Sequence, residues 1–561
     1  MVTNKYITKI ASVIMAAAVI LCLLACAFSQ KLQAVYGNNA VAMEYESKLF
    51  DTDQIMDIDI LMDEDDWNDM LENAISEEYY SCDVVVNGKT FYSVGIRPKG
   101  NTSLSSIVND PDTDRYSFKL EFDHYIEGQA CYGLDKLILN NNYADATNMK
   151  EAIVYDMYQY LGVDASLYNY AKISVNGDYR GVYLALEAVE DSFMLRNYGT
   201  EDGNLYKPES MGIGGGVDGN GFPQKGEMPD GTDFPQKGEM PDGEDFPQMG
   251  EAPNGEAADI KMGIMGGNGG ADLNYTDDDL DSYSTIWDGE ITDSDKKDHK
   301  RVVEALKNIS EGTDLETYMD VDNILKYMAV HTFVVNDDSL SGTMAHNYYL
   351  YEYNGKLNIL PWDYNLSFGG MSMGGKMGGQ SLGATSVIND AIDTPFSITD
   401  FFDALLENEE YLEQYHGYLN ELVEKYVNGG EFEKTYERIR SQIDDLVGND
   451  PTAFYSYEEY EEAANMLIEV VQLRAKSVSG QLAGTIPSTD EGQQQDSSNL
   501  IDGSDIDLSV MGSFSGGGGG NEGQGKDNGF AGTPQPFDAG DVSPISEEKA
   551  DLQDSNQDSV K

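Results

Sequence analysis

The sequence predicts an α+β protein with a strand-rich first half and a helical second half, and three observations carry that prediction. Between residues 55 and 210, short apolar runs are punctuated by Asn87-Gly88 and Asn176-Gly177, and Asn-Gly between β-rich runs is a strong hairpin signal. Between 276 and 483, apolar residues recur at helical spacing along acidic segments, the pattern of amphipathic helices. Between the two, F-P-Q-K-G-E-M-P-D-G-T-D at 222–233 recurs at 234–245 and, degraded, at 246–257. A Gly-, Pro- and Asp-rich repeat buries too little apolar surface to offset the entropy of ordering. Residues 211–275 are therefore expected to be a disordered insertion between two lobes.

Taken in order, the chain opens with Lys5 and Lys9, then an uncharged run over 10–28. That length spans a bilayer or serves as a long signal sequence. Leu23-Leu24-Ala25-Cys26 loosely resembles a lipobox, so an uncleaved anchor, a cleaved signal and a lipid-anchored Cys26 all stand for residues 1–31. Each places the body outside the cytoplasm, with 32–54 as a tether. A half-buried strand is expected over 55–60, and a short helix from Asp63 carrying Trp67, Met70 and Leu71. Strands follow over 83–86, 91–97 and 117–123. A helix over 147–161, capped by Thr147, repeats Met149, Ile153, Met157 and Leu161 every fourth residue, giving it a buried face. Strands over 171–175 and 181–187 flank the second Asn-Gly turn. Helices are expected over 295–309, 321–335, 401–427 and 457–482. From 484 to 561 the chain is rich in Gly, Ser, Gln, Asp and Asn, with five glycines at 516–520, and reads as a disordered acidic tail.

The formal charge of −65 over 561 residues repels nucleic acid and anionic headgroups. It suits a secreted protein, a cationic partner or bound divalent metal. Past the leader only Cys82 and Cys131 remain. An oxidising compartment permits a bridge between them, and two buried free thiols are the plainer expectation.

Residues 336–370 carry the chemistry. The acidic pair Asp337-Asp338 is followed by Asn347, a strand over 348–353, an Asn-Gly turn, a strand over 357–360 and Asp363 in a glycine-ended loop. A base Asp, a metal-binding Asn, a hairpin and a second metal-binding Asp is the order of parts by which protein kinases transfer phosphoryl groups, although the H-R-D and D-F-G letters are absent. The words H-N-Y-Y-L-Y and I-L-P-W-D-Y in this stretch resemble the signature of the spore coat protein H (CotH) kinases. Upstream, G-I-R-P-K-G-N-T-S at 95–103, S-F-K-L-E-F-D at 117–123 and V-N-G-D-Y-R-G-V-Y-L-A-L-E at 175–187 agree in the same order.

The resemblance covers roughly residues 55–210 and 285–480. It implies a bilobal, atypical protein-kinase-like fold that uses ATP with Mg2+ or Mn2+ to phosphorylate Ser or Thr of surface or spore coat proteins. It implies that Lys119 grips phosphate and pairs with Glu151. Arg97, Lys99, Gly100 and Asn101 would form a phosphate-covering loop, with Glu187 near the adenine hinge and Lys207 as a second phosphate contact. Asp337 or Asp338 would be the base, and Asp363 and Asn347 would hold metal. His346 reads as structural. Asn365 departs from the family word, which usually ends in a second acid. It keeps an oxygen ligand but removes one negative charge. Charge complementarity favours a basic, Ser-rich protein acceptor. The rival reading is a non-catalytic surface or coat protein using the same fold for adhesion or assembly.

Overall fold

The computed structural model describes residues 41–209, 269–342, 345–371, 383–396, 398–512 and 514. Seven strands close into a barrel: β1 (Met56–Leu61), β2 (Tyr80–Val86), β3 (Lys89–Lys99), β4 (Ser117–Glu121), β5 (Lys136–Asn140), β6 (Tyr168–Val175) and β7 (Asp178–Glu187), in the order β1-β2-β3-β4-β5-β7-β6. Neighbours run antiparallel except at the closure, where β6 lies parallel to β1 with Ile58 opposite Ile173. In β1, Met56, Ile58 and Ile60 are buried while Asp57 faces out, the period-2 alternation of a strand with one wet face. The Asn-Gly turns work as the sequence predicts. Asn87 and Gly88 have φ of 49° and 79°, and Asn176 and Gly177 have φ of 52° and 87°, the left-handed pair that matches strand twist in a two-residue hairpin.

The barrel interior is filled by Ile58, Ile60, Val84, Val94, Ile96, Phe118, Leu120 and Leu139. Two helices join this core. In α1 (Glu44–Lys48) Tyr45 is fully buried, and in α2 (Glu64–Glu72) Trp67 sits 5.5 Å from the Phe118 ring. Within the expected tether over 32–54, the described part from residue 41 is folded, because Tyr45, Leu49 and Phe50 are buried in this core and the Val41 amide donates to the Arg196 carbonyl at 2.9 Å. Cys82 and Cys131 are buried free thiols, and burial pushes both up to about 12.

A larger core joins the outer face of the barrel to the helical half. Helix α3 (Thr102–Val108) caps the end of β3, and α4 (Lys150–Leu161) is buried almost all round. Asp145 accepts from the Thr147 and Lys150 amides, so the helix begins three residues later than expected. Against α4 pack Ile138, Tyr168, Leu184 and Leu186 of the barrel, and also α7 and the strands of the second sheet. The remaining long elements are α5 (Asp191–Tyr198), α6 (Lys296–Ser310), α7 (Val321–Val334), α8 (Glu409–Glu421), α9 (Glu431–Gly448) and α10 (Tyr457–Leu482). The second sheet runs β10-β9-β8, formed by β8 (Asn204–Tyr206), β9 (Tyr348–Tyr353) and β10 (Lys356–Pro361).

Two boundaries differ from expectation. The division near residue 210 does not separate two cores. Strand β8 from the first half pairs with β9 from the second, and the larger core draws on both, so the folded residues form one compact unit. The tail expected from 484 is folded to 512. Ile486 and Met511 are buried, Gln493 donates to the Asn389 carbonyl at 2.7 Å, and the Ile501 amide donates to Asn389 Oδ1 at 2.9 Å. Composition misses this segment because hydrogen bonds, rather than apolar burial, hold most of it. Of the expected insertion, 211–268 lies outside the described residues, while 269–275 belongs to the fold. There Ala271 and Leu273 are buried and Tyr348 donates to the Ala271 carbonyl at 2.6 Å. The run over 10–28 also lies outside the described residues, among which no helix is long and apolar enough to cross a membrane.

Glu187 shows how the barrel is tied to its surroundings. Wholly buried, it accepts from Tyr45 OH at 2.5 Å, from the Leu167 amide at 3.1 Å, and from Arg196 Nε and Nη2 at 2.9 and 2.6 Å. Removing one partner of such a pair strands the other charge. Glu187→Gln is expected to lower stability by about 3 kcal/mol or more. Urea unfolding checks this, and an unchanged midpoint would contradict it.

Candidate functional site

The hairpin over 348–361 turns at Asn354 and Gly355 (φ 54° and 85°) and delivers Asp363 just beyond β10. Trp362 is buried edge-on to Tyr349 at 5.4 Å. The following loop is pinned to the end of α7, where the Phe368 amide donates to the Val334 carbonyl at 2.7 Å and Asn336 Nδ2 to the Asp363 carbonyl at 3.4 Å. Helix α7 itself ends on Val335 at φ 51°, and Asn347, Asp363 and Phe368 also have positive φ, from 57° to 59°. Left-handed backbone at a β-branched residue is costly and persists where surrounding structure over-determines it, often at functional sites. Here it turns the chain sharply enough to set Asp338 near Asp363.

Asp338 is 9 % exposed and well held. His346 Nε2 contacts its Oδ1 at 2.7 Å, while Asn347 Nδ2 donates to its Oδ2 at 3.0 Å and to its carbonyl at 2.8 Å. Burial works against the His346 imidazolium, but the Asp338 hydrogen bond and the negative field of Asp338, Glu209 and Asp363 outweigh it and raise its pKa. Burial raises the Asp363 carboxyl. Lys99, Lys207 and His346 oppose that rise and Asp338 adds to it. Burial, then the charge of Asp363, push Glu151 up to about 8, against the Asn140 hydrogen bond, Lys99 and the Tyr364 amide. Burial lowers Lys99, with Lys207 and Arg97 reinforcing the shift and Asp363 and Glu151 resisting it. The centre is thus a nearly balanced cluster of acids and bases taken out of water, where small changes of charge carry large energies.

Of the residues singled out in the sequence, Lys99, Glu151, Lys207, Asp338, Asn347 and Asp363 come together. The expected ion pair between Lys119 and Glu151 does not form. Lys119 Nζ lies 2.5 Å from Glu190 Oε1, and Lys136 takes the other oxygen of that carboxylate. Lys99 stands in its place: its Nζ donates to Asn140 Oδ1 at 3.1 Å, and Asn140 Nδ2 donates to Glu151 Oε2 at 2.9 Å. Cross-strand register is the reason. Lys119 lies opposite Arg97, and Lys99 sits two residues farther along β3, at the end of the barrel where Glu151 of α4 reaches Asn140. The Glu187 carboxylate is spent on Arg196 and Tyr45 rather than left open for a ligand. Arg97 pairs with Glu77 and lies 5.5 Å from the Tyr79 ring. Gly100 takes φ 132°, and a Cβ there would come within 2.9 Å of Ser103 Oγ. Asn101 Oδ1 is buried without a hydrogen bond. Lys207 lies 2.5 Å from Glu209, and Asp337 is half-buried in the turn.

Sequence reasoning missed Asn140, Asn336 and Glu209, and read His346 as merely structural. The one signal for Asn336 was its position directly before the acidic pair. Its Oδ1 is buried with no hydrogen bond. Among the described residues no three His, Cys, Asp or Glu side chains converge to hold a metal ion. A Mg2+ that travels with phosphate needs one or two carboxylates rather than a full protein cage, and the oxygens of Asp363 and Asn336 fit that need.

Asn365 donates from Nδ2 to the Tyr143 carbonyl at 2.9 Å. An acid there would set a carboxylate against a carbonyl. Without metal, Asn365→Asp is expected to lose about 1–3 kcal/mol, a loss that Mn2+ reverses at least in part. Thermal melts with and without Mn2+ read this. An unchanged melt without metal would mean the Tyr143 contact carries no weight.

Fold and site together define an α+β protein with a buried cluster of opposed charges between a closed barrel and a helical layer. A protein-family comparison matches CotH kinase protein over residues 96–478, more than half of the chain, and the chain belongs to the CotH kinase family. No curated protein matches it.

Proposed function

We propose that this protein is an extracytoplasmic CotH-type kinase that transfers the γ-phosphate of ATP to a Ser or Thr hydroxyl of surface or coat proteins. The observation that carries the reading is the convergence of Lys99, Glu151, Asp338 and Asp363 in one buried centre, on top of family membership. In a kinase-like arrangement the barrel side contributes the phosphate grip and the helical side the acids. Lys99, whose charge is favoured most by Asp363 and whose amine is steadied by Asn140, holds phosphate oxygens. Asp338, oriented by His346 and Asn347, accepts the proton of the acceptor hydroxyl as its oxygen bonds to the γ-phosphorus and the bond to the leaving diphosphate breaks. Asp363, with the free oxygen of Asn336 and the amide of Asn347, would hold Mg2+ or Mn2+, which neutralises developing charge on the phosphates. The acidic surface favours a basic, Ser-rich acceptor, and the family favours a site at the cell surface or spore coat.

The test is incubation of the full chain with γ-labelled ATP, Mn2+ and two Ser-rich peptides, one basic and one acidic. Label on serine of the basic peptide is expected. A folded protein that labels neither peptide nor itself supports the second reading, a non-catalytic coat or adhesion protein. That reading is favoured by Asn365, whose donor is committed to Tyr143 where the family word usually has an acid.

A further inference from the structure

Behind the charged centre, five residues form one unbroken hydrogen-bonded chain through the core. Tyr158 OH donates to Tyr364 OH at 2.5 Å. Tyr364 OH lies 3.0 Å from His331 Nδ1, and His331 Nε2 lies 2.9 Å from Ser341 Oγ. Ser341 Oγ donates to the Asn336 carbonyl at 2.8 Å. Chemistry fixes the direction of every link. A carbonyl only accepts, so the Ser341 proton is committed to Asn336 and Ser341 Oγ accepts from His331 Nε2–H. Nδ1 of the neutral ring then accepts from Tyr364, whose oxygen accepts from Tyr158. Tyr364 and Ser341 each accept one hydrogen bond and donate one along the chain. Burial, which lowers His331 to about 3, agrees with a neutral ring.

The ends of this chain matter. Tyr158 lies on α4, two turns from Glu151. Tyr364 directly follows Asp363. Asn336 directly precedes the Asp337-Asp338 turn. The ring of His331 is stacked between Tyr327 at 5.4 Å and Phe396 at 5.3 Å, so its two nitrogens point in fixed directions. A phenyl ring would fill the same stack. What the imidazole adds is a side-chain link between two segments that are otherwise tied by the Asn336 side-chain amide on the Asp363 carbonyl and the Phe368 amide on the Val334 carbonyl.

We propose that His331 is a positioning residue that fixes the Asp363 segment relative to the Asp338 turn, with Tyr364 and Ser341 as its two arms. The consequence for turnover rests on the kinase reading; the consequence for the geometry of the two segments does not.

The experiment compares the full wild-type chain with His331→Phe, His331→Gln and Ser341→Ala by amide hydrogen exchange and steady-state kinetics. The reporters are the Gly342 amide, bonded to the Ser339 carbonyl, and the Phe368 amide, bonded to the Val334 carbonyl. In His331→Phe both are expected to exchange at least about tenfold faster, while the amides of β1–β7 keep wild-type protection. Ser341→Ala should loosen Gly342 more than Phe368. Turnover should fall at least about tenfold in His331→Phe with the KM for Mn-ATP within about twofold, and His331→Gln should recover part of it. Wild-type exchange at both reporters in His331→Phe, or a KM that rises as far as turnover falls, would overturn the proposal. If His331→Phe does not fold, Ser341→Ala decides alone, and wild-type exchange at Gly342 there overturns it. A wild type without phosphate transfer would sink the kinase reading, while the exchange arm still decides this one.

Discussion

Asp363→Asn is expected to abolish phosphate transfer, by about a thousandfold or more, while leaving a folded protein. The substitution suits the backbone, since Asn tolerates the left-handed conformation that Asp363 adopts at φ 59°. It also removes a carboxylate that burial and Asp338 already hold above the usual range. The cost falls on Lys99, which loses the acid that most supports its charge. The change should also show in the pH dependence of stability. Glu151 is raised to about 8 in the fold by burial and Asp363. A carboxyl raised on folding contributes stability that is complete below its unfolded value and is lost as pH climbs through the folded value. Metal-free wild type should therefore weaken between roughly pH 4.5 and pH 8. Asp363→Asn should flatten that slope, because Glu151 loses a negative neighbour. Denaturant titrations across this window provide the measurement. Equal slopes in the two proteins would mean that Glu151 and Asp363 do not share a site.

Asp338→Asn should reduce turnover about 10²- to 10⁴-fold, with nucleotide affinity changed only a few-fold. The isosteric amide can keep the contact to Asn347, but it cannot take a proton, and it removes the negative charge that faces His346. Asp337→Asn should do much less, because it is Asp338 that His346 and Asn347 hold and that faces Asp363. Turnover and binding measured side by side separate the cases. If Asp337→Asn proves the more damaging, the base is the other member of the pair.

What the sequence disclosed was mostly local. The Asn-Gly turns, the hairpin over 348–361 and the placing of Asp363 at a strand end depend on a few neighbouring residues, and the structure contains all of them. The grouping of Asp338 with Asn347 was also legible, since nine residues and one turn connect them. What the sequence hid depends on distant pairing. Barrel closure needs β1 beside β6, more than a hundred residues away, and no local pattern announces it. Lys119 looked like the partner of Glu151 because it sits mid-strand in a recognisable word while Glu151 opens a helix with a buried face, but the register of β3 against β4 gives that place to Lys99 and sends Lys119 to Glu190. Glu187, which ends an apolar strand, reads equally well as a ligand contact or a buried anchor, and only Arg196 nine residues later decides it. Residues 484–512 are polar in composition yet bound through Asn389, a contact no window along the chain can reveal. The catalytic role of the assembled centre rests on family membership and on the chemistry of the groups that converge there.

The most direct test of the account is calorimetric titration of Mn-ATP into the wild type, Lys99→Met and Lys119→Met. Metal-dependent binding to wild type is expected, weakened at least about tenfold in Lys99→Met and changed by less than about twofold in Lys119→Met, since a half-buried cation facing phosphate contributes more than one already spent on a neighbouring carboxylate. Full affinity in Lys99→Met, or its loss in Lys119→Met instead, would contradict the assignment of the phosphate grip to the cluster around Asp363.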